Sequence, residues 1–194
     1  MRLSKLFAAG VAVLLSSSFF SATNAGDTLK VAHYDQPAQM GMPYGTFGAN
    51  GAYQLYAIFD GLTFVDDDKK VYPRLATEWK LKDKNTWVVK LRKGVTFHNG
   101  VPWNADAMLG NVDAINNDPV VSKQQARRQL ATIVSGKKID DHTVELTTKV
   151  PDPVLPKRLH IMRPHEPKAW ADLGPKGYAT DPVGTGSYKI VKWG

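Results

Sequence analysis

The sequence predicts an α/β fold, a mixed sheet with short helices. Three features carry that reading. Apolar residues alternate with period two in several stretches, most cleanly at 86–92. Residues 104–117 place apolar side chains at helical spacing instead. Glycine, proline, asparagine and aspartate punctuate the chain between these stretches. The 194 residues are 43% hydrophobic and 22% charged, ordinary for one globular unit and too apolar for disorder.

The N-terminus reads as a cleaved secretory signal. Arg2 and Lys5 precede an apolar run at 6–15 and a small, semi-apolar stretch at 16–22. Thr23 and Ala25 then supply small side chains at the two positions a signal peptidase reads. The run is too short for a membrane anchor. Residues 1–25 are therefore set apart from the fold. The chain has no cysteine, so no lipid-bearing cysteine follows the signal and no disulfide forms. A periplasmic protein without a lipid anchor is expected.

The net charge is +7, and +7 − 2 = +5 without Arg2 and Lys5. The basic residues are scattered through Lys80, Lys82, Lys84, Arg127, Arg128, Lys137, Lys138, Lys157 and Arg158. On an exported protein they read as a solvated surface, and no nucleic-acid partner is expected.

Taken in order, residues 28–34 alternate as a first strand. Residues 36–51 form a long loop rich in glycine, with Gly41, Pro43, Gly45, Gly48 and Gly51. A short helix at 52–59 follows. Leu62 to Val65 and Val71-Tyr72 pair as strands around Asp66-Asp67-Asp68-Lys69, a solvated turn that lacks the ligand spacing of a calcium loop. In the strand at 86–92, Trp87, Val89 and Leu91 share a face. Val95 and Phe97 resume it before a tight turn at Asn99-Gly100. Asn104 caps a helix reaching Asn117, with Asp106 in its first turn and Met108, Leu109, Val112 and Ile115 on its apolar face. A second helix is expected at 123–133. After a turn at Asp140-Asp141 comes a strand with Val144, Leu146, Thr148 and Val150 on one face. Prolines at 151, 153, 156, 164 and 167 break the next stretch into short pieces. Residues 187–193 alternate as a last strand. Trp79, Trp87, Tyr72 and Phe97 read as core residues rather than an aromatic cage.

Little in the chain points to catalysis. His33, His98, His142, His160 and His165 form no H-E-x-x-H pair, and they read as surface or turn histidines rather than metal ligands. Gly184-Thr185-Gly186-Ser187 lacks the pattern of a nucleophile elbow, and Gly174-Pro175-Lys176-Gly177 lacks the end of a phosphate loop. No catalytic residue, metal site or cofactor is assigned. An exported hydrolase using Ser187 and His98 stays as a minor alternative.

Five blocks in order resemble one family. They are Phe59-Asp60-Gly61-Leu62; Pro73-Arg74-Leu75-Ala76-Thr77-Glu78-Trp79; the run from Leu91 through Phe97-His98-Asn99-Gly100 to Trp103 and Asp106; Ile139-Asp140-Asp141-His142-Thr143-Val144-Glu145-Leu146; and Pro182-Val183-Gly184-Thr185-Gly186-Ser187-Tyr188-Lys189. Together they look like the extracellular solute-binding proteins of family 5, the periplasmic dipeptide-, oligopeptide- and nickel-binding proteins of ABC importers. The resemblance implies a type II-like periplasmic binding fold of two lobes closing on a solute by a hinge. It implies that residues 26–51 and 181–194 belong to the main subdomain of the first lobe and 52–180 to a small inserted subdomain. It places Phe47, Gly48, Ala49 and Asn50 nearest the ligand, where glycine would let backbone groups approach a peptide-like solute. The implied partners are that small solute and the permease subunits at the inner membrane, with a monomer when full length. Family members are more than twice this long, so the resemblance also implies that the second lobe is missing here. A truncated, non-transporting interaction module is the alternative this leaves open, and the cargo itself (peptide, opine, nickel chelate, haem or sugar) is not legible.

The mature protein from its host's periplasm is expected to begin at residue 26. Intact mass spectrometry checks this, and a species retaining residues 1–25 would refute the signal. A mass more than twice that of residues 26–194 would identify the present sequence as a piece of a longer chain.

Overall fold

The computed structural model describes residues 41–45 and 49–192. The signal, the strand expected at 28–34, His33, Phe47, Gly48 and Trp193 lie outside them.

The described elements run α1 (Ala49–Ile58), β1 (Thr63–Val65), β2 (Val71–Pro73), β3 (Ala76–Asp83), β4 (Thr86–Leu91), α2 (Ala105–Asn117), α3 (Gln125–Gln129), β5 (Ile133–Asp140), β6 (Thr143–Thr148), α4 (Leu155–Arg158) and α5 (Pro167–Thr180). Short 3-10 turns at Val121–Lys123 and Leu159–Ile161 lead into α3 and out of α4. The α/β class therefore holds. β1 and β2 form a hairpin, and the other strands form a sheet in the order β3-β4-β6-β5. Each of these pairings is antiparallel. The parallel neighbours that would make the sheet mixed are not among the described residues.

The core lies between one face of this sheet and α2. Trp87, Val89 and Leu91 of β4 are buried as their alternation predicts. Trp87 pairs with Leu146 and Val89 with Val144 of β6, so the apolar rows coincide across the strands. Met108, Val112 and Ile115 of α2 are buried in the same cluster. Asn104 caps α2 as expected, its side chain accepting the Ala107 N–H at 3.0 Å. The buried indoles keep their N–H groups satisfied, Trp87 on the Asp152 carbonyl at 3.2 Å and Trp103 on the Leu75 carbonyl at 3.3 Å.

The structure departs from the sequence reading in particular places. β3 and β5 are the outer strands of the sheet, and most of their side chains are exposed, including Lys80, Lys82, Lys137 and Lys138. With little of either strand buried beyond Ala76 and Ile133, they leave only a weak period-two signal. The helix expected at 123–133 is confined to α3, because the Ile133 N–H turns back onto the Leu130 carbonyl at 3.0 Å and Ile133 opens β5. α5 was hidden by its breakers. Pro167 sits in its first turn, where no N–H is needed, and Pro175 follows a kink at Gly174 with φ 63°. Val150 is exposed beyond the end of β6. Tyr72 is exposed and Trp79 only partly buried, whereas Trp87 and Phe97 are core. Residues 187–192 are not a strand, since the amides of Gly186 and Tyr188 instead donate to the Ile58 and Ala57 carbonyls at the end of α1, at 2.8 and 3.0 Å.

The F-D-G-L block has a physical reason at each position. Phe59 and Leu62 are buried. Asp60 receives Arg74 at 3.1 Å and the Thr185 hydroxyl at 3.3 Å. A Cβ on Gly61 would stand 2.5 Å from the His160 carbonyl, so only glycine admits the chain leaving α4.

One buried amide ties distant segments together. Asn111 of α2 is 0% exposed. Its Oδ1 accepts the Tyr44 hydroxyl at 2.6 Å and the His165 N–H at 3.0 Å. Its Nδ2 donates to the Ala107 and His165 carbonyls at 2.9 and 2.8 Å. Asn111→Ala is expected to destabilise the fold by about 3 kcal/mol or more, since each buried group left unpaired costs about 1–3 kcal/mol. Tyr44→Phe removes one bond cleanly and should cost only about 1 kcal/mol. Equal losses in urea unfolding would refute this role for Asn111.

Candidate functional site

Of the four residues the sequence places at a ligand, Phe47 and Gly48 lie outside the described residues, and Ala49 and Asn50 open α1. The chain entering this loop is held firmly. The Gly41 N–H donates to the Ala179 carbonyl at 3.0 Å, and the Tyr44 carbonyl accepts the Ala126 N–H at 3.4 Å. Beside it opens a cleft of about 180 Å³ lined by Gly45, Tyr56, Gln125, Ala126, Gln129, Ile161 and Arg163.

Arg163 and Tyr56 set the character of this cleft. Tyr56 stands on α1 next to the buried Leu55 and is itself partly exposed. The Arg163 guanidinium carbon lies 5.5 Å from the Tyr56 ring centre, in cation–π contact. Arg163 is 4% exposed, and its Nε has no hydrogen-bond partner. Burial lowers its pKa, opposed by the nearby Tyr56 and Tyr44 hydroxyls. Nothing local in the sequence marks Arg163, which lies in a proline-broken stretch with no periodicity. A second, wider groove of about 650 Å³ shares Tyr56 and runs past Thr63, Phe64, Arg74, Lys157 and His160.

His165 follows two residues later and departs from the surface position expected of it. It is 1% exposed, packed by Trp170, Tyr44 and Tyr178 with ring centres 4.9, 5.9 and 6.1 Å away. Burial pulls its pKa from 6.5 down to about 3, against the attraction of the Asp118 carboxylate. The ring is therefore neutral at ordinary pH. Among the described residues no cluster of histidine, aspartate and glutamate could hold a metal ion.

His98 and Ser187 do not form the pair a hydrolase would need. The His98 Nε2 donates to the Gly186 carbonyl at 2.9 Å, and its Nδ1 accepts the Gly184 N–H at 3.3 Å. Both ring nitrogens are thus used to hold the 184–186 turn against the 95–102 hairpin. A Cβ on Gly184 would stand 2.1 Å from the Ile58 carbonyl, so the turn also needs glycine to reach α1.

Comparison with known proteins gives consistent likenesses. The family model for bacterial extracellular solute-binding proteins, family 5 Middle, matches residues 70–194. The glutathione-binding protein GsiB of Pectobacterium atrosepticum is 32% identical over 142 residues, which is 71% of this chain and 27% of that protein. The crystal structure of NikZ from Campylobacter jejuni in complex with Ni(L-His) superposes with a TM-score of 0.72 at 25% identity, covering 82% of this chain and 32% of that one. AgaA of Agrobacterium tumefaciens R10 in complex with agropinic acid superposes with a TM-score of 0.67 at 25% identity, covering 80% and 31%. The chain thus spans about a quarter of the length of the curated relatives it matches. Among the described residues no helix is long and apolar enough to cross a membrane.

The buried neutral His165 gives the fold a pH dependence. Between pH 6.5 and 3 the unfolded chain takes up a proton that the folded chain refuses. Stability from this group is complete above 6.5 and is lost as pH falls, by about 1.4 kcal/mol per unit at most. Urea midpoints measured from pH 7 to 4.5 should fall less steeply for His165→Phe than for the parent; identical slopes would refute it.

Proposed function

The chain belongs to the bacterial extracellular solute-binding proteins of family 5, and from that premise we propose that it captures a peptide or peptide-like solute in the periplasm and hands it to the permease of an ABC importer. The observation that carries the reading is the family match over 70–194 together with relatives that bind small solutes. Glutathione and the L-histidine of a nickel complex are amino-acid-derived molecules, which supports a peptide-like cargo.

In this reading the solute is held between two lobes, and the residues described belong to the first. Residues 52–180 form its inserted subdomain, and 26–51 with 181–194 its main one. The division is supported by the four-stranded sheet and α2, which lie wholly within 76–148. Phe47, Gly48, Ala49 and Asn50 touch the solute. This is supported by the tethering of Tyr44 just before them in the chain and by the cleft that Gly45 lines. The His98 clasp on 184–186 stiffens the crossing back to the main subdomain. The protein carries cargo without transforming it, works as a monomer, and reaches the periplasm after loss of residues 1–25.

Protein purified from the host periplasm and then denatured should release a small peptide-like molecule in stoichiometric amount, identified by mass spectrometry. Disruption of the gene should abolish uptake of that molecule. Release of no solute, with uptake of peptides unchanged in the disrupted strain, would overturn the importer reading.

A further inference from the structure

Some cations that lie apart in the sequence are gathered by the fold at one pole. Within residues 119–139 and 147–165 the only side-chain carboxylate is that of Asp152. These two stretches meet in space. The Lys149 N–H donates to the Thr132 carbonyl at 2.9 Å. The Thr132 hydroxyl donates to the Asp152 carboxylate at 2.6 Å, and Arg158 reaches the same oxygen at 2.9 Å. α3, the start of β5, the end of β6 and α4 therefore share this pole. Asp152 is buried and already matched, so it offsets none of the other charges. Among the described residues, Lys123, Arg127, Arg128, Lys149 and Lys157 form no ion pair. The acids nearest the rim come with cations of their own. Asp83 and Lys84 share the turn that meets Thr148, and Asp66 and Asp67, across a groove from Lys157, stand beside Lys69 and Lys70.

The same pole bares apolar side chains. Val134 follows Ile133 at the start of β5, Val150 follows Lys149, and Val154 immediately precedes α4. All of them are exposed. A single exposed valine is ordinary. Valines set among unpaired lysines and arginines make an amphipathic surface.

We propose that this pole docks on an anionic lipid surface, its cations on the phosphates and its valines among the headgroups. The proposal rests on the periplasmic reading above, which brings the protein to the outer leaflet of the inner membrane. Charge complementarity selects this partner. Lysine and arginine bury their aliphatic stems while their charged ends reach phosphates at different depths. Such a surface fits a fluid array of phosphates better than carboxylates fixed at set spacings. Binding of this kind is weak and reversible. It would hold the carrier near the permease and still let it leave to collect solute.

The test is flotation of the whole protein, purified from the host periplasm, with vesicles. One set mixes phosphatidylethanolamine with phosphatidylglycerol, and the other is phosphatidylcholine alone. At low salt the protein should float with the first set and not with the second, and molar salt should release it. Each basic side chain at an anionic surface is worth about a fivefold gain in binding. Arg128→Glu, Lys149→Glu and Lys157→Glu combined should therefore weaken binding by about tenfold or more. Lys80→Glu, Lys93→Glu and Lys176→Glu make the same change of net charge away from this pole and should keep most of the binding. All six positions are exposed, and unchanged urea midpoints would show that the variants fold. If the first triple variant does not fold, Lys149→Gln with Lys157→Gln carries the same test with a smaller loss. Equal losses in the two triple variants would reduce the effect to net charge and overturn the pole. Equal flotation with both vesicle sets, flotation with neither, or flotation only when the permease is embedded would also overturn it. Lipid binding without any released solute would leave the pole standing while the importer reading fails. Released solute without lipid binding would do the reverse.

Discussion

The side-chain amide of Asn111 spends its hydrogen-bonding capacity on three stretches of chain that meet nowhere else in the sequence. Two of its bonds hold His165 by its own backbone N–H and carbonyl. Another holds the Tyr44 hydroxyl, and the last returns to α2. An amide can satisfy donors and acceptors at once, which neither an apolar residue nor a carboxylate could do at that point. The position of Arg163 depends on this junction, because it lies two residues before His165, and Tyr44 comes just before Gly45 of the cleft wall. Moving α2 would therefore move both sides of the cleft together.

Around that junction the fold divides its labour. The sheet and α2 supply apolar bulk, and the segments that reach the cleft are fixed by polar contacts and close backbone approach. Gly61 lets the chain after α4 lie against the F-D-G-L turn, and Gly184 lets the last described segment lie against α1. His98 then clasps that segment from the other side. Such contacts are short-ranged and directional, so they hold a geometry where bulk packing would only hold a volume.

The sequence was most legible where one face of an element is buried and the other is not. β4 and α2 carry that contrast strongly, and their ends and faces match the alternation and the Asn104 cap. β3 and β5 carry it weakly, because they are the outer strands and both faces see water. α5 carries it beneath two prolines and two glycines whose positions happen to be tolerated, one pair in the first turn and at the kink. The cleft was legible only in part. The glycine-rich loop marked its neighbourhood, but Arg163, Gln125 and Gln129 come together from stretches 34 or more residues apart, and no local pattern announces that meeting. His165 shows the same limit, since a histidine between prolines carries no sign of the aromatic rings that will enclose it.

The lysines on the outer strands have a consequence for how this sheet ends. Among the described residues, the outer strands β3 and β5 present Lys80 and Lys82, and Lys137 and Lys138, with Lys82 paired to Glu145 and Lys138 to Asp106 and Asp141. Register irregularities interrupt the pairing of each margin with its neighbour, between Leu81 and Asp83 and between Lys138 and Asp140. A further strand laid along either margin would have to follow a bent ladder and desolvate fixed positive charge. Among the described residues, the margins of the sheet therefore disfavour the addition of a strand from a sister molecule.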